Sequence, residues 1–577
     1  MPGDLHLFTD FHKAGYLYLL CSWAVFLSYC ALYQTDQFIK IWRRRQRRRK
    51  RQYHKQDDDD DDGKIRTPLE IINDFLRPLE HTISIPYVAT MISLKHFISM
   101  TLFCIINIIF CYFAPFKLHP EVERYEVPIT GILDRRMAYV CMANWSFAIV
   151  LGTRNSIITN LCGMTFEQLI PFHRWVARIG MAETALHIFY RWWEGYATTG
   201  QWYDSFMLNE EYLSGSVSTI GYFILYFTAF DFIRRNFFRT FYYSHLIGFL
   251  IGTGGAMWHE WSCIYFFYPP CILWVLDRAL RSYKSWVEPI ELIHIEQYNE
   301  KIVHAKVAYK PLTDGSFRPG QYVFAAYLNG KKGWKNWFER HAEWYPMTIS
   351  DIFTTTTTTT ITNEPASSSS SSSSVSSSSQ ITEQKRGASI HIKALGDGTR
   401  QLMEDVRDGK KLELRVDGPY GPRLHYLDYS TVALFALGIG VTPALTVLKD
   451  CVEQPVRRSC VRRVYLVWSS INADEIQPFV DYILYCKTYP SSVQLDMTIH
   501  LTREKDKSKC TQLSETLGCT IIQGKRPNIP ECIDQIAYDV DHRNVWVHTC
   551  GSVPFMMSII NEATRHQFDF HHETFEF

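Results

Sequence analysis

Pro171-Phe172-His173-Arg174-Trp175-Val176-Ala177-Arg178-Ile179-Gly180-Met181-Ala182-Glu183-Thr184-Ala185-Leu186-His187 is a mostly apolar stretch closed by a histidine near each end, and Ser244-His245-Leu246-Ile247-Gly248 through Met257-Trp258-His259 is a second. Both intervals are 14 residues (187 − 173 and 259 − 245). On an α-helix, 14 steps of about 100° fall about 40° short of four turns and rise about 21 Å. Each helix therefore presents two imidazoles on nearly one face, one toward each surface of a membrane. Two such helices side by side make two bis-histidine sites stacked across a bilayer. A lone membrane histidine usually hydrogen-bonds to a neighbouring helix. Four in a doubled register are a constellation, and intramembrane ionisable groups are functional suspects by default. Neutral imidazole is an axial ligand for haem iron, and two of them leave no open position on the metal.

The surrounding sequence supports a membrane setting. A span takes about 20 mostly apolar residues. Candidate spans lie at 15–33, 96–116, 137–151, 172–192, 216–232, 241–261 and 263–280, about seven, with the third short and the seventh interrupted by Pro269-Pro270. The first reads as a span rather than a cleaved signal, because no basic segment precedes it and no small-residue cleavage site follows. Basic residues stay cytosolic. Arg43, Arg44, Arg45, Arg47, Arg48, Arg49, Lys50 and Arg51 follow the first span directly and put the first loop inside. Alternation then places Arg234, Arg235 and Arg239 inside and Glu194, Asp204, Glu210 and Glu211 outside. The fourth and sixth spans both run inside to outside. His173 should therefore pair with His245 toward the cytosol, and His187 with His259 toward the far side.

Composition limits the alternatives. At 577 residues the chain exceeds one ordinary domain. A net charge of +1 carries no nucleic-acid footprint, so no nucleic-acid partner is expected. Fifteen cysteines show no CxxC metal pattern and no disulfide framework.

At the four histidines, with the phrase Ile170-Pro171-Phe172-His173-Arg174-Trp175, the chain resembles the ferric reductase and NADPH oxidase superfamily, in its fungal-type metalloreductase branch. The resemblance continues from there to Phe577. It implies an α-helical transmembrane bundle with two b haems on His173, His187, His245 and His259. A cytosolic ferredoxin-reductase-like module follows, made of an antiparallel β-barrel for FAD and an α/β parallel-sheet domain for the nucleotide. The expected boundaries are 1–84 for the first helix and charged loop, 85–285 for the haem domain, 286–425 for the FAD barrel and 426–577 for the NAD(P)H domain.

Within the second half, Arg318-Pro319-Gly320-Gln321-Tyr322 resembles the strand that opens the flavin groove. Tyr345-Pro346-Met347-Thr348 stands where the family carries His-Pro-Phe-Thr/Ser, so Tyr345, Pro346 and Thr348 are candidate flavin contacts. Lys393 and the turn holding Gly398 and Thr399 match the segment that approaches the FAD pyrophosphate, an anion suited by backbone amides. Between them, Thr354–Thr360 and Ser367–Ser379 are low-complexity runs, and 351–386 reads as a disordered insertion. Gly438-Ile439-Gly440-Val441-Thr442-Pro443 follows an apolar strand and opens a helix, the setting in which such glycines bind phosphates. It matches the family's nucleotide loop through Gly438, Gly440, Thr442 and Pro443, with Leu437 in place of the first glycine. Cys550-Gly551 matches the family's Cys-Gly-Pro edge, with Ser552 for the proline, and puts the Cys550 thiol near the nicotinamide. Phe577 matches the terminal aromatic that covers the flavin. Lys525 and Arg526 resemble a basic motif near the 2′-phosphate and favour NADPH.

The expected activity is that of an NAD(P)H-dependent ferric/cupric metalloreductase. Electrons pass from cytosolic NADPH through FAD and the two haems to an acceptor across the membrane, with Fe(III) or Cu(II) chelates favoured over dioxygen. A superoxide-generating NADPH oxidase is the alternative within the same cofactor set. A non-enzymatic scaffold with a degenerate reductase domain is the alternative outside it, motivated by Tyr345, Leu437 and Ser552. The expected setting is membrane lipid, in the plasma membrane ahead of the endoplasmic reticulum, with self-association left open.

Overall fold

The computed structural model describes residues 13–53, 68–85, 89–113, 129–154, 157–287, 291–299, 302–309, 317–328, 344–361, 379–394, 397–410, 412–454, 459–540 and 544–573. The chain divides into two compact units, with the break after Arg281.

In the first unit we label seven long helices: α1 Lys13–Tyr53, α2 Leu94–Phe113, α3 Ile129–Leu151, α4 Phe166–Thr199, α5 Glu210–Thr228, α6 Phe238–His259 and α7 Cys263–Val287. Parts of α1, α2 and α7 (Gly15–Trp42, Leu94–Phe113 and Cys263–Tyr283) are long and apolar enough to cross a membrane by composition. Large apolar side chains such as Leu20, Val25, Leu102, Ile108 and Val275 stand exposed on these three helices, as lipid contact requires. The other four helices carry the polar and ionisable side chains of the interior, which dilutes their hydropathy.

Two expectations are corrected here. The third span is not short: α3 has 23 residues, and its extra turns hold Asp134, Arg135 and Arg136, charges that make the sequence look as though the span has not yet begun. Nor is the seventh interrupted, since Pro269 and Pro270 lie inside one continuous helix. Membrane helices tolerate proline where neighbouring groups re-satisfy the freed carbonyls.

Helix pairing follows small residues. α5 packs on α6 and α3 on α4. A Cβ on Gly221 of α5 would overlap the backbone of Gly252 of α6. A Cβ on Gly255 would come within 2.7 Å of the Ser218 backbone, and the Ser218 hydroxyl donates to the Gly252 carbonyl at 2.9 Å. Small residues let membrane helices approach closely enough for dispersion and hydrogen bonding to act between them.

The second unit opens with an antiparallel sheet: β1 Glu291–Asn299, β2 Ile302–Tyr309, β3 Tyr322–Leu328, β4 Tyr345–Ile361, β5 Ser379–Lys393 and β6 Glu413–Tyr420. Its order is β1-β2-β5-β4-β3-β6, and the two edge strands come into contact, curling the sheet toward a barrel. Helix α8, Asp397–Arg407, follows β5. A six-stranded parallel sheet comes next: β7 Thr431–Leu437, β8 Arg463–Ser470, β9 Gln494–Leu501, β10 Thr520–Gln523, β11 Val545–Cys550 and β12 Asp569–Glu573, in the order β10-β9-β8-β7-β11-β12. Apolar clusters cover both faces, one around Leu434, Leu466 and Trp468, the other around Phe435, Val547 and Ile559. That is why the central strands read as unbroken apolar runs. β7 is the first strand and lies between β8 and β11, so the chain reverses direction across the sheet there, and ligands bind at such a switch point.

The disordered insertion expected over 351–386 is also corrected. β4 and β5 stay paired in register as far as Ile361↔Ser379, so both flanks of the insertion are ladder strands. Threonine is β-branched and suits a strand even in a low-complexity run, and the ladder satisfies its backbone groups. The span 362–378 lies outside the described residues. Because the ladder closes at Ile361↔Ser379, replacing 362–378 with a two-residue Asn-Gly turn should leave flavin content within about twofold. Flavin released on denaturation measures this, and a tenfold loss would make the segment part of the site.

Candidate cofactor sites

The helix register brings the four histidines together as two pairs. His173 and His245 have ring centroids 6.4 Å apart, and His187 and His259 6.3 Å apart. Two imidazoles on opposite sides of one metal, with bonds of about 2.0–2.1 Å, place their centroids about 6.3–6.5 Å apart. Both pairs are therefore spaced for a single six-coordinate metal, and the residues present fit an axially ligated haem iron.

The far ring nitrogens show how the imidazoles are aimed. His173 Nδ1 lies 2.7 Å from the Ala148 carbonyl, His187 Nδ1 2.7 Å from Asp134 Oδ1, and His259 Nδ1 2.8 Å from the Glu211 carbonyl. Each acceptor fixes a tautomer with the proton on Nδ1, leaving Nε2 bare to ligate. His245 Nδ1 is buried without a hydrogen-bond partner among the described residues. Gly215 makes room beside His259, since a Cβ there would sit 3.1 Å from the ring.

Asp134 was not singled out by sequence reasoning. It is buried on α3, and besides His187 it holds Arg191 at 2.6 Å. Arg191 also meets Glu194 at 2.8 Å. The signal was an aspartate at the head of an apolar run, which reads equally well as a helix end.

In the second unit, Tyr345, Pro346 and Thr348 lie on β4 opposite Ala325, Phe324 and Tyr322 of β3. Gly398 and Thr399 fall in the first turn of α8 rather than in an open glycine turn, so the anion-binding amides there are those of a helix N-terminus. The Tyr345 hydroxyl presses on Gly398, where any Cβ would collide with it. Two segments 53 positions apart (398 − 345) are thus brought into contact.

The Lys393 ammonium is 2.7 Å from Glu475 Oε1, at the seam between the two sheets. Burial pushes the Glu475 carboxyl up, but hydrogen bonds from Lys393 and Ser470 outweigh it and hold the group below the usual carboxylate range.

The nucleotide loop closes on Cys550. Gly438 has φ +57°, a left-handed conformation that favours glycine, and its carbonyl accepts from the Trp468 indole at 2.9 Å. A Cβ on Gly440 would come within 2.6 Å of the Cys550 carbonyl and 3.1 Å of its sulfur. Thr442 caps back onto the Ile439 carbonyl, and Pro443 sits in the buried first turn of α9, Val441–Glu453. Leu437, the departure from the glycine pattern, packs against Gly551, where a side chain would meet Leu437 Cβ at 2.7 Å. Burial, and next the neighbouring Glu573, push the Cys550 thiol well up, so it is a neutral S–H. Lys525 and Arg526 are exposed after β10, the sheet edge three strands from β7, and Phe577 lies outside the described residues.

Residues 137–255 match the family model for the ferric reductase like transmembrane component, and residues 429–564 match the ferric reductase NAD binding domain. Over these two stretches the chain is similar to the ferric reductase family. The first match takes in His173, His187 and His245, and the second takes in the loop at Gly438–Pro443 and Cys550. Among relatives, the chain is 22% identical over 452 residues to ferric reductase transmembrane component 5 of Saccharomyces cerevisiae, covering 74% of this chain and 57% of that protein. It is 24% identical over 414 residues to the mitochondrial ferric reduction oxidase 8 of Arabidopsis thaliana, covering 67% and 49%. It is 22% identical over 373 residues to a superoxide-generating NADPH oxidase heavy chain of Dictyostelium discoideum, covering 58% and 47%. The chain thus spans about half the length of the curated relatives it matches.

The contact between Tyr345 and Gly398 can be tested directly. Gly398→Ala should displace the tyrosine and lower flavin occupancy about tenfold, the effect of overpacking by about 1–3 kcal/mol. Flavin per chain after purification is the measurement, and unchanged occupancy would separate this contact from the flavin site.

Proposed function

We propose that the chain is a transmembrane flavocytochrome b reductase, moving electrons from NADPH across a membrane to Fe(III) or Cu(II). The observation that carries this reading is the pair of imidazole couples at 6.4 and 6.3 Å, one near each end of α4 and α6. When bound, FAD would accept hydride and release single electrons, and two b haems would relay them.

This chain's residues do the rest. His173 with His245, and His187 with His259, would hold the two irons in closed coordination, which suits outer-sphere transfer. Ala148, Asp134 and Glu211 orient three of the four rings. Gly438 and Gly440 open the loop for phosphate, and the protonated Cys550 offers a small neutral contact for the nicotinamide. The amides at the head of α8 favour the flavin pyrophosphate, and Tyr345 lines the flavin groove. In the proposed orientation the module of β1–β12 faces the cytosol.

The choice of metal over dioxygen rests on the His187/His259 end. Reduction of dioxygen calls for a positive group to steady the developing superoxide charge. Arg191 is the cation beside His187, and Asp134 and Glu194 hold it. Glu210 and Glu211 stand exposed at the head of α5, with Glu210 accepting from the Trp258 indole at 2.9 Å. Asp134, Glu194, Glu210 and Glu211 outnumber Arg135, Arg136 and Arg191 there, a balance that favours cations.

Two experiments test the reading. His173→Ala and His245→Ala should each remove one haem of two, with the double mutant little worse than either single, because one site is lost in all three. The pyridine haemochrome spectrum counts the haems, and retention of both in either single mutant overturns the pairing. For the acceptor, purified protein is given NADPH under air with and without a ferric chelate. Ferrous product should account for most of the NADPH consumed. Superoxide at the full rate of consumption, undiminished by the chelate, would mark an oxidase instead.

A further inference from the structure

β11 and β12 are parallel neighbours, and their register sets His548 opposite His571 and Cys550 opposite Glu573. Side chains two apart on a strand share a face, so these four groups project together from one edge of the nucleotide sheet. His548 is fully buried, and His571 and Glu573 are partly buried. Donor atoms of His548, His571 and Glu573 all lie within 4.8 Å of one another, and the two Nδ1 atoms are 3.2 Å apart.

The imidazole geometry is that of a chelating pair. With metal–nitrogen bonds of about 2.0–2.1 Å, a 3.2 Å separation subtends about 100–106° at a shared metal. The ring centroids, 5.3 Å apart, give an independent angle of about 109–115° under the same bond length. The two values bracket the tetrahedral angle. The ring planes are only 11° apart, and Trp546 stacks on both, at 5.8 and 6.3 Å, which fixes them.

We infer that His548, His571 and Glu573 form a site for a divalent transition metal of the zinc class. Two imidazoles and one carboxylate are a zinc donor set that leaves the fourth position to water. A filled site ties β12 to β11, the strand that carries Cys550. The site lies in the second unit, and the inference does not depend on the proposed electron path.

The test is equilibrium dialysis of the full-length, tag-free protein in detergent against Zn2+, with bound metal counted by atomic emission. Wild type should hold one more zinc per chain than His571→Ala, and Glu573→Gln should bind at least about tenfold more weakly. Zn2+ should also raise the thermal transition of wild type and not of His571→Ala. If His571→Ala fails to fold without zinc, Glu573→Gln, at the partly exposed end of the strand, carries the comparison. Equal zinc in wild type and both variants, or none at micromolar metal, would leave only an imidazole–imidazole hydrogen bond and overturn the site.

Discussion

Everything in the first unit depends on holding imidazoles in opposed pairs inside an apolar bundle. An imidazole in hydrocarbon needs a partner for each ring nitrogen, because an unsatisfied polar group there costs several kcal/mol. The fold supplies one nitrogen of His173, His187 and His259 with an acceptor from another helix, which leaves the other nitrogen directed at the facing histidine. Distances of 6.4 and 6.3 Å between rings are too long for direct contact and right for a shared metal. Helix spacing is then set by that gap, and glycines at α5–α6 let the neighbours close around it.

A second set of polar groups ties α4 to its neighbours. Asn144 of α3 donates to Asn107 of α2 at 2.7 Å and to Glu183 of α4 at 2.8 Å, and it accepts from Tyr18 of α1 at 2.8 Å. Four helices meet at one buried amide. Interhelical hydrogen bonds in membranes contribute about 0.6–2 kcal/mol each. Their larger effect is to fix rotation, since α4 can present its histidines to α6 only while Glu183 faces α3.

In the second unit, substitutions that look like damage in the sequence are absorbed by their neighbours. Leu437 takes the place of a glycine and packs against Gly551, where a side chain would not fit. Tyr345 takes the place of a smaller ring, and Gly398 makes room for its hydroxyl. Both glycines belong to the pattern the chain shares with the family, and the space they leave keeps the larger side chains packed.

Much was legible in the sequence because it depends on period and order alone. The 14-residue intervals put His173 with His187, and His245 with His259, on common helix faces, and the direction of the spans matched the pairs across helices. An apolar strand running into Gly438-Ile439-Gly440 and a helix announced the nucleotide lobe in the same way. What sequence could not reach were relations between residues with no fixed spacing. Asp134 behind His187, Glu475 against Lys393, and β4–β5 pairing through the threonine run each depend on which surfaces the packed chain brings within a few ångströms. The helical course of Pro269-Pro270 was hidden for the same reason, because local propensity opposes it and only neighbouring helices offset the lost bonds. The sequence by itself determined which residue types line which face of each element. The tertiary structure alone decided which faces meet, and hence the ring separations, the answered charges and the His548–His571 couple, because those quantities are set by close packing between segments distant along the chain.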